Sequence, residues 1–349
     1  MKLEASKDRM KVMGRYDRLD EMLYLCYSGA YVEFLFVGCY LEVEMLSDFV
    51  SNKEACIMGV YLDGKIHSRL KLNKGIHRYT LIDSTERISV KVRLIKLTEV
   101  QYATSAIHAL FTDDEATIQP TKYQRRKIEF IGDSITCGYG NEGNQYGSFT
   151  TEEENAVKSY AILCAEELKA DFQLISFSGI GIISRYIEPD IEEPLTDVLM
   201  PIIYPYTDWY LYKRKEIKNK HLWNFNEFIA DIVVINLGSN DASYIRNQKD
   251  RENYFVEEYQ KFISTVRKYQ PESVIICTIG VMEGKISLVV QKAVSLYKEH
   301  TGDNKVYFFE EEAIRSEEGI GTAGHPTVRT HERMAQKLRE YIQENGWLD

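Results

Sequence analysis

The sequence predicts two domains of different fold class, an N-terminal all-β sandwich and a C-terminal α/β domain with a parallel sheet. The chain has 349 residues, more than one domain usually contains. Up to about residue 120 the pattern is that of short β-strands, and from Lys127 onward apolar strands alternate with amphipathic helices. We place the boundary so that the domains are 1–122 and 123–349.

The N-terminal domain is predicted to consist of short antiparallel strands. In the segment 87–97 apolar and charged residues alternate strictly, which puts Ile88, Val90, Val92 and Leu94 on one face. The Asp63-Gly64 pair is typical of a hairpin turn. Many short strands with turns between them favour a sandwich. The other predicted strands are 30–37, 39–44 (after Gly38), 56–62 and 77–82.

The C-terminal domain is predicted to alternate strands and helices. Its strands are apolar on both faces, as in a sheet covered by helices on each side. The predicted strands are 128–131, 172–177, 229–237, 273–279 and 306–309. The predicted helices are 159–169, 253–269 with a buried stripe of Tyr254, Phe255, Tyr259, Phe262 and Val266, 287–300, and one capped by Thr330 that ends near Gln343. In such sheets, chemistry takes place beyond the carboxyl ends of the strands.

Charge and composition exclude several classes of partner. The formal net charge of −10 gives no general attraction for nucleic acid or for anionic lipid, and no apolar stretch approaches the roughly 18 residues of a membrane span. The six cysteines form no C-x-x-C motif and show no zinc-ligand spacing. The N-terminus carries no apolar signal segment. We expect reduced cysteines and a cytoplasmic protein, and the sequence leaves a homo-oligomer open.

Four positions in loops carry potential chemistry. Ser134 follows the first strand of the α/β domain in Gly-Asp-Ser, Gly179 follows the second in Ser-Gly-Ile-Gly, and Asn240 follows the third in Gly-Ser-Asn-Asp. His325 stands in Gly-His-Pro before the last helix. Taken singly, each has an ordinary explanation as a helix cap, a turn or a surface residue. Their order along the chain, each in a loop, favours a shared site.

The order Ser, Gly, Asn, His resembles that of the SGNH hydrolases, also called GDSL esterases. A narrower resemblance, carried by the segments 128–141, 234–241, 70–75 and 98–101, is to carbohydrate esterase family 2. It implies a jelly-roll domain joined to a flavodoxin-like, three-layer SGNH domain that removes O-acetyl groups from sugars without a metal or organic cofactor.

The resemblance also implies roles for individual residues. Ser134 is the implied nucleophile and His325 the implied base, while the N–H groups of Ser134 and Gly179 and the side chain of Asn240 are the implied oxyanion donors. Asp133 and Asp241 flank this set, and we expect them to hold loop backbone rather than to react.

The sequence departs from the superfamily pattern at Thr322, where an Asp usually stands three residues before the catalytic His. We consider three acceptors for the His325 Nδ1 proton. The first is a backbone carbonyl of the 320–323 turn, as some members of this esterase family are described as Ser–His dyads. The second is Thr322 Oγ1, and the third is a carboxylate from 310–312 or 317–318. His331 is interpreted as a helix residue rather than a metal ligand.

A long aromatic-rich connection, 188–223, lies between the second and third strands of the α/β domain. A structureless loop of that length is usually functional. We predict that its aromatic rings, together with Tyr139 and Tyr146 beside Ser134, form a rim for sugar rings. Packing on the β-domain or on another subunit is the alternative. The predicted rim residues are Tyr139, Tyr204, Tyr206, Trp209 and Tyr210, and the segment also contains Tyr212 and Trp223.

The predicted function is deacetylation of acetylated manno- or xylo-oligosaccharides by a Ser–His mechanism. One alternative is a lipid esterase or thioesterase of the same superfamily. The other is a sugar-binding protein whose hydrolase domain has lost activity, because the usual acid is missing.

Overall fold

A computed structural model describes residues 1–282 and 286–348. The N-terminal part contains ten strands in one antiparallel sheet. Their order is β3-β4-β9-β5-β8-β6-β7, with β1 paired to β9 and both β2 and β10 paired to β5. The strands are β1 Lys2–Glu4, β2 Lys11–Met13, β3 Tyr16–Leu19, β4 Met22–Leu25, β5 Tyr31–Phe49, β6 Ile57–Leu62, β7 Lys65–Lys71, β8 Gly75–Lys96, β9 Ala103–Thr112 and β10 Thr117–Pro120.

The sheet folds into two layers that face each other. The long strands β5 and β8 each contribute to both layers. β5 pairs with β8 from Tyr31 to Ser47, and buried residues from both halves of β5 belong to one hydrophobic cluster. The two strands predicted on either side of Gly38 are therefore a single strand with a bulge. At the bulge the Asp113 carboxylate accepts the N–H groups of Cys39 (2.8 Å) and Tyr40 (3.1 Å). The predicted sandwich-like β-domain is confirmed, although the predicted strands 77–82 and 87–97 are likewise one long strand, β8, and several short strands were not predicted.

The C-terminal part is a five-stranded parallel sheet with the order β12-β11-β13-β14-β15. This is the 2-1-3-4-5 order of flavodoxin-like folds, and it confirms the predicted α/β class. The strands are β11 Arg126–Gly132, β12 Ala170–Ser176, β13 Ile232–Asn236, β14 Val274–Thr278 and β15 Val306–Phe309. The helices are α1 Ser134–Cys137, α2 Tyr160–Glu167, α3 Met200–Ile203, α4 Trp209–Arg214, α5 Ser239–Ile245, α6 Lys249–Tyr269, α7 Ile286–Thr301 and α8 Val328–Glu344.

Several helix details differ from the prediction. α6 begins at Lys249, about one turn before the predicted start at residue 253. Tyr254 of α6 is 52% exposed, because it lies off the 255–259–262–266 stripe that faces the core. α8 begins one turn earlier than predicted, with Thr327 as its N-cap. Thr330 is therefore a residue of α8 itself rather than its cap, and its hydroxyl donates to Glu318 at 3.0 Å.

The connection 188–223 is not the structureless loop that the sequence predicted, since it contains α3 and α4. It packs against both domains. The guanidinium of the fully buried Arg15 donates to the carbonyl oxygens of Tyr204 (2.5 Å) and Tyr206 (2.6 Å). Burial against the β-domain thus organises this segment, which is the alternative given for its aromatic residues.

The two domains share packing and polar contacts. One hydrophobic cluster contains Tyr31 and Leu97 of the β-domain together with Phe172 of β12. The N–H of Ala156 donates to the Leu97 carbonyl at 3.0 Å. The boundary at residues 122 and 123 stays a prediction. Within the described ranges, no helix combines the length and apolar character needed to cross a bilayer.

Candidate active site

Ser134 lies on a tight turn at the carboxyl end of β11 and is the first residue of α1. The Asp133 side chain caps that helix by accepting the Ile135 N–H at 3.0 Å. Gly132 is required just before the turn, because a Cβ there would come within 2.0 Å of the Thr136 hydroxyl oxygen. The Asp133 cap and the close packing at Gly132 therefore both constrain the turn. Ser134 itself is buried, with 7% of its surface exposed.

His325 contacts the Ser134 hydroxyl directly. The distance from His325 Nε2 to Ser134 Oγ is 2.8 Å, and the distance from His325 Nδ1 to the Thr322 carbonyl oxygen is 3.1 Å. Because a carbonyl accepts only, Nδ1 carries the proton and Nε2 can accept the serine proton. Burial lowers the pKa of His325, which keeps the ring neutral at neutral pH.

The acceptor for the His325 Nδ1 proton in the structure is the first of the three considered, a backbone carbonyl of the 320–323 turn. The Thr322 hydroxyl points elsewhere and donates to Glu153 at 2.9 Å. Glu318 forms a buried pair with Arg333 at 2.5 Å. Glu312 pairs with Lys337 and Arg315. Within residues 1–282 and 286–348, no carboxylate is hydrogen-bonded to His325.

The predicted oxyanion donors lie in three neighbouring loops. Gly132 pairs with Ser176 on one side and with Asn236 on the other, so β11, β12 and β13 end side by side. The Asn240 amide nitrogen donates to the Ile180 carbonyl at 2.8 Å and lies 3.4 Å from Asp133. These contacts tie the three loops to one another.

Two backbone N–H groups of this region are free to donate. In the part of the chain that the structure describes, neither the Ser134 N–H nor the Gly179 N–H has a hydrogen-bond acceptor. Gly179 has a φ of +81°, and a Cβ placed on it would meet nothing within 4 Å. The Gly179 backbone therefore faces open space in a conformation that suits glycine.

Asp133 and Asp241 form hydrogen bonds with different loops of the site. The Asp241 carboxylate accepts the N–H groups of Ile182, Ile183 and Ser184, which fixes the turn after Gly181. Burial raises the pKa of Asp133 to about 7 and that of Asp241 to about 6. Their contacts are with loop backbone and with Asn240.

Of the predicted rim residues, Tyr139 lies beside His325, whereas Tyr204 lies in the core. The ring of Tyr139 stacks on Phe149 at 3.8 Å and lies 4.5 Å from the His325 ring. Tyr204 is fully buried, and its hydroxyl donates to Glu129 at 2.6 Å, so its prediction as a rim residue was wrong. Tyr212 of the same connection is fully buried as well.

The other rim candidates are partly buried in the same connection. Tyr206 and Trp209 contact each other edge to face at 5.2 Å. Tyr210 packs edge to face on Phe177, with the ring centroids 4.9 Å apart. Phe177 directly precedes Ser178 in the chain. A role in sugar binding stays a prediction for these three residues. Tyr146 is 90% exposed and also stays a prediction.

The β-domain contributes two residues to this region that were not predicted from the sequence. Glu99 accepts the Ser178 N–H at 2.5 Å, and Tyr102 packs on Phe149 at 5.3 Å. Burial raises the pKa of Glu99 to about 7. The available signal was that the segment 98–101, which contains Glu99, carries part of the family resemblance.

Glu99, Cys137 and Glu154 form the group of possible metal ligands found in the described ranges, with ligand atoms within 4.8 Å of one another. Burial raises the pKa of the Cys137 thiol and of Glu154 well above their ordinary values, which favours the protonated forms that bind metals poorly. His331 is fully buried in α8, where its Nδ1 accepts the Tyr160 N–H at 3.2 Å. That contact fits the helix-residue interpretation of His331.

Two families match the chain. Residues 12–121 match the family described as Carbohydrate esterase 2 N-terminal. Residues 130–346 match the GDSL-like Lipase/Acylhydrolase family.

Several known proteins are similar over nearly the whole chain. The Cellulase/esterase CelE of Acetivibrio thermocellus is 32% identical over 341 residues, which cover 96% of this chain but 39% of that protein. An acetylxylan esterase / glucomannan deacetylase of Cellvibrio japonicus is 25% identical, with 98% and 90% covered. The solved structure of a family two carbohydrate esterase from Clostridium thermocellum in complex with cellohexaose is 31% identical, with a TM-score of 0.84 and coverage of 97% and 99%.

Proposed function

Because the chain belongs to carbohydrate esterase family 2, we propose that it removes acetyl groups from acetylated oligosaccharides with Ser134 as nucleophile and His325 as base. The observation that carries this proposal is the 2.8 Å contact between Ser134 Oγ and His325 Nε2, with the Thr322 carbonyl on the opposite nitrogen. A nucleophile, a base and a group that orients the base are thus in line.

The first half of the reaction transfers the acetyl group to the enzyme. His325 Nε2 takes the Ser134 proton while Oγ forms a bond to the acetyl carbon. The oxyanion accepts hydrogen bonds from the N–H groups of Ser134 and Gly179 and from the Asn240 amide. The C–O bond to the sugar then breaks, and the sugar oxygen leaves with the proton from His325.

The second half regenerates the serine. Water gives a proton to His325 and forms a bond to the acetyl carbon, through an oxyanion held by the same three donors. The bond to Ser134 Oγ breaks, and Oγ recovers its proton from His325. Acetate leaves. Neither half of the reaction needs an oxidant, a reductant or any further group.

Manno- or xylo-oligosaccharides are the proposed substrate class. Support comes from the acetylxylan esterase / glucomannan deacetylase named above and from the cellohexaose complex of a solved relative. Next to the reacting groups, the Tyr139 and Phe149 rings suit the apolar faces of sugars. As this chain spans 39% of the length of the first relative, that relative's whole activity is not carried over.

The proposal is tested by measuring acetate release from O-acetylated xylo- and manno-oligosaccharides. In parallel, the p-nitrophenyl esters of acetate and octanoate are compared. We expect release from the oligosaccharides and a preference for the acetate ester of at least about tenfold in kcat/KM, a difference of about 1.4 kcal/mol. A preference for the octanoate would favour the lipid esterase alternative.

A further inference from the structure

The segment 98–101 lies in the connection between β8 and β9 of the N-terminal domain and contacts the loop that carries Gly179. Glu99 is fully buried, yet it lies far along the chain from every predicted site residue. One of its carboxylate oxygens accepts the Ser178 N–H at 2.5 Å, and the other accepts the Ser178 hydroxyl. Ser178 is therefore held at two points by a residue of the other domain.

Gln101 holds the same residue from a third side. Its amide nitrogen donates to Glu99 at 2.9 Å and lies 3.4 Å from the Ser178 carbonyl oxygen. That carbonyl and the Gly179 N–H belong to one planar peptide unit, so fixing the C=O direction also fixes the N–H direction. On the far side, the Tyr186 N–H donates to the Gly179 carbonyl at 2.9 Å.

We propose that Glu99 is a positioning residue, by which the β-domain orients the Gly179 N–H toward the oxyanion. The inference rests on the proposed function, because it needs Gly179 to be an oxyanion donor. Glu99 does not touch substrate in this account. It acts through Ser178, so its loss misplaces one donor and leaves the nucleophile and the base in place.

The expected effect is on the rate of reaction rather than on substrate binding. Both halves of the reaction pass through an oxyanion, so a misplaced donor slows both and leaves KM nearly unchanged. Removing an oxyanion donor costs about 10² to 10³ in kcat, and a displaced donor costs less, about 10 to 100-fold.

Two substitutions of similar volume separate positioning from packing. Glu99→Gln retains an oxygen that can accept the Ser178 N–H and gains an N–H₂ that can donate to the Ser178 hydroxyl oxygen. Glu99→Leu fills the same space without an acceptor. We expect Glu99→Leu to lose about 10 to 100-fold in kcat on p-nitrophenyl acetate, and Glu99→Gln to stay within about threefold of wild type.

The outcomes are distinguishable. If wild type does not hydrolyse the acetate ester, the proposed function fails. If wild type is active and Glu99→Leu keeps its kcat within threefold, or if Glu99→Gln loses as much as Glu99→Leu, Glu99 is not a positioning residue. Should Glu99→Leu not melt cooperatively, Glu99→Asp takes its place. It is one methylene too short to reach Ser178, and the same fall in kcat is expected and required.

Discussion

The Nδ1 atom of His325 donates to the backbone carbonyl of Thr322, at the chain position where most enzymes of the superfamily have an aspartate. A carbonyl fixes the tautomer and the orientation of the ring, as a carboxylate would, but it adds no negative charge. His325 is therefore oriented by the main chain. The turn that contains Thr322 is itself tied to Gly140, because the Thr322 N–H donates to the Gly140 carbonyl at 3.2 Å.

Substituting Thr322 tests which part of that residue serves His325. Thr322→Ala removes the hydroxyl bond to Glu153 but keeps the carbonyl. We expect kcat to stay within about tenfold of wild type, against the roughly 10⁴-fold loss seen when a triad acid is disabled. Glu318→Ala breaks the buried pair with Arg333 and is expected to reduce stability more than kcat. A loss above about a hundredfold for correctly folded Thr322→Ala would assign the role to its side chain.

The pH dependence of hydrolysis reports the protonation of His325. Its pKa is lowered by burial, and the reaction needs the neutral ring. The acidic limb of kcat/KM on p-nitrophenyl acetate should therefore lie below the ordinary histidine value of about 6.5. Activity is present above the His325 pKa and is lost as the pH falls through it. An acidic limb at or above pH 7 would contradict this account.

Two tyrosines of the predicted rim should behave differently. Tyr204→Phe removes the buried hydroxyl bond to Glu129, so we expect a loss of about 1 to 3 kcal/mol in the free energy of unfolding and no change in KM. Tyr139→Ala removes the stacked ring beside His325, so we expect kcat/KM on acetylated oligosaccharides to fall about threefold to tenfold. Urea unfolding and initial rates check the pair. A larger effect of Tyr204→Phe on KM than on stability would restore Tyr204 as a rim residue.

Glu154 gives a prediction about stability and pH. It is fully buried, and among the described residues neither carboxylate oxygen has a hydrogen-bond partner. Burial and the neighbouring Glu99 raise its pKa well above 4.5. Between its unfolded and folded pKa values the folded state binds a proton that the unfolded state lacks. Glu154 therefore makes stability fall as the pH rises, by up to about 1.4 kcal/mol per pH unit.

Glu154→Gln lacks this titration. The melting temperature of Glu154→Gln, minus that of wild type, should therefore be larger at pH 8 than at pH 5. Glu152→Gln is the matched control, since Glu152 is 59% exposed on its side chain and should show no such trend. Melting curves of wild type and Glu154→Gln that shift in parallel from pH 5 to pH 8 would show that Glu154 is ionised in the folded protein.

The grouping of the four candidate site residues could be predicted from sequence because each follows a short apolar strand or stands in a loop before the last helix. Parallel strands bring their carboxyl ends together, so Ser134, Gly179 and Asn240 meet without further information. The acceptor for His325 was left among three choices, because a backbone carbonyl leaves no mark on the sequence.

The features that could not be predicted from the sequence depend on contacts between segments that lie far apart in the chain. Tyr204 is aromatic and lies in a long connection, which suits a sugar-binding rim equally well. Its burial is decided by Arg15 and Glu129, far away in the chain. The Glu99–Ser178 bond likewise joins two domains, and the sequence around Glu99 does not identify the residue that it contacts.

We propose that Ser134 cleaves acetyl esters of oligosaccharides. The most direct test is acetate release from a defined mono-acetylated xylo- or manno-oligosaccharide by wild type and by Ser134→Ala at equal protein concentration. We predict steady release by wild type and a loss of at least about 10³-fold in Ser134→Ala. Equal rates for the two proteins, or no release by either, would contradict the proposed function.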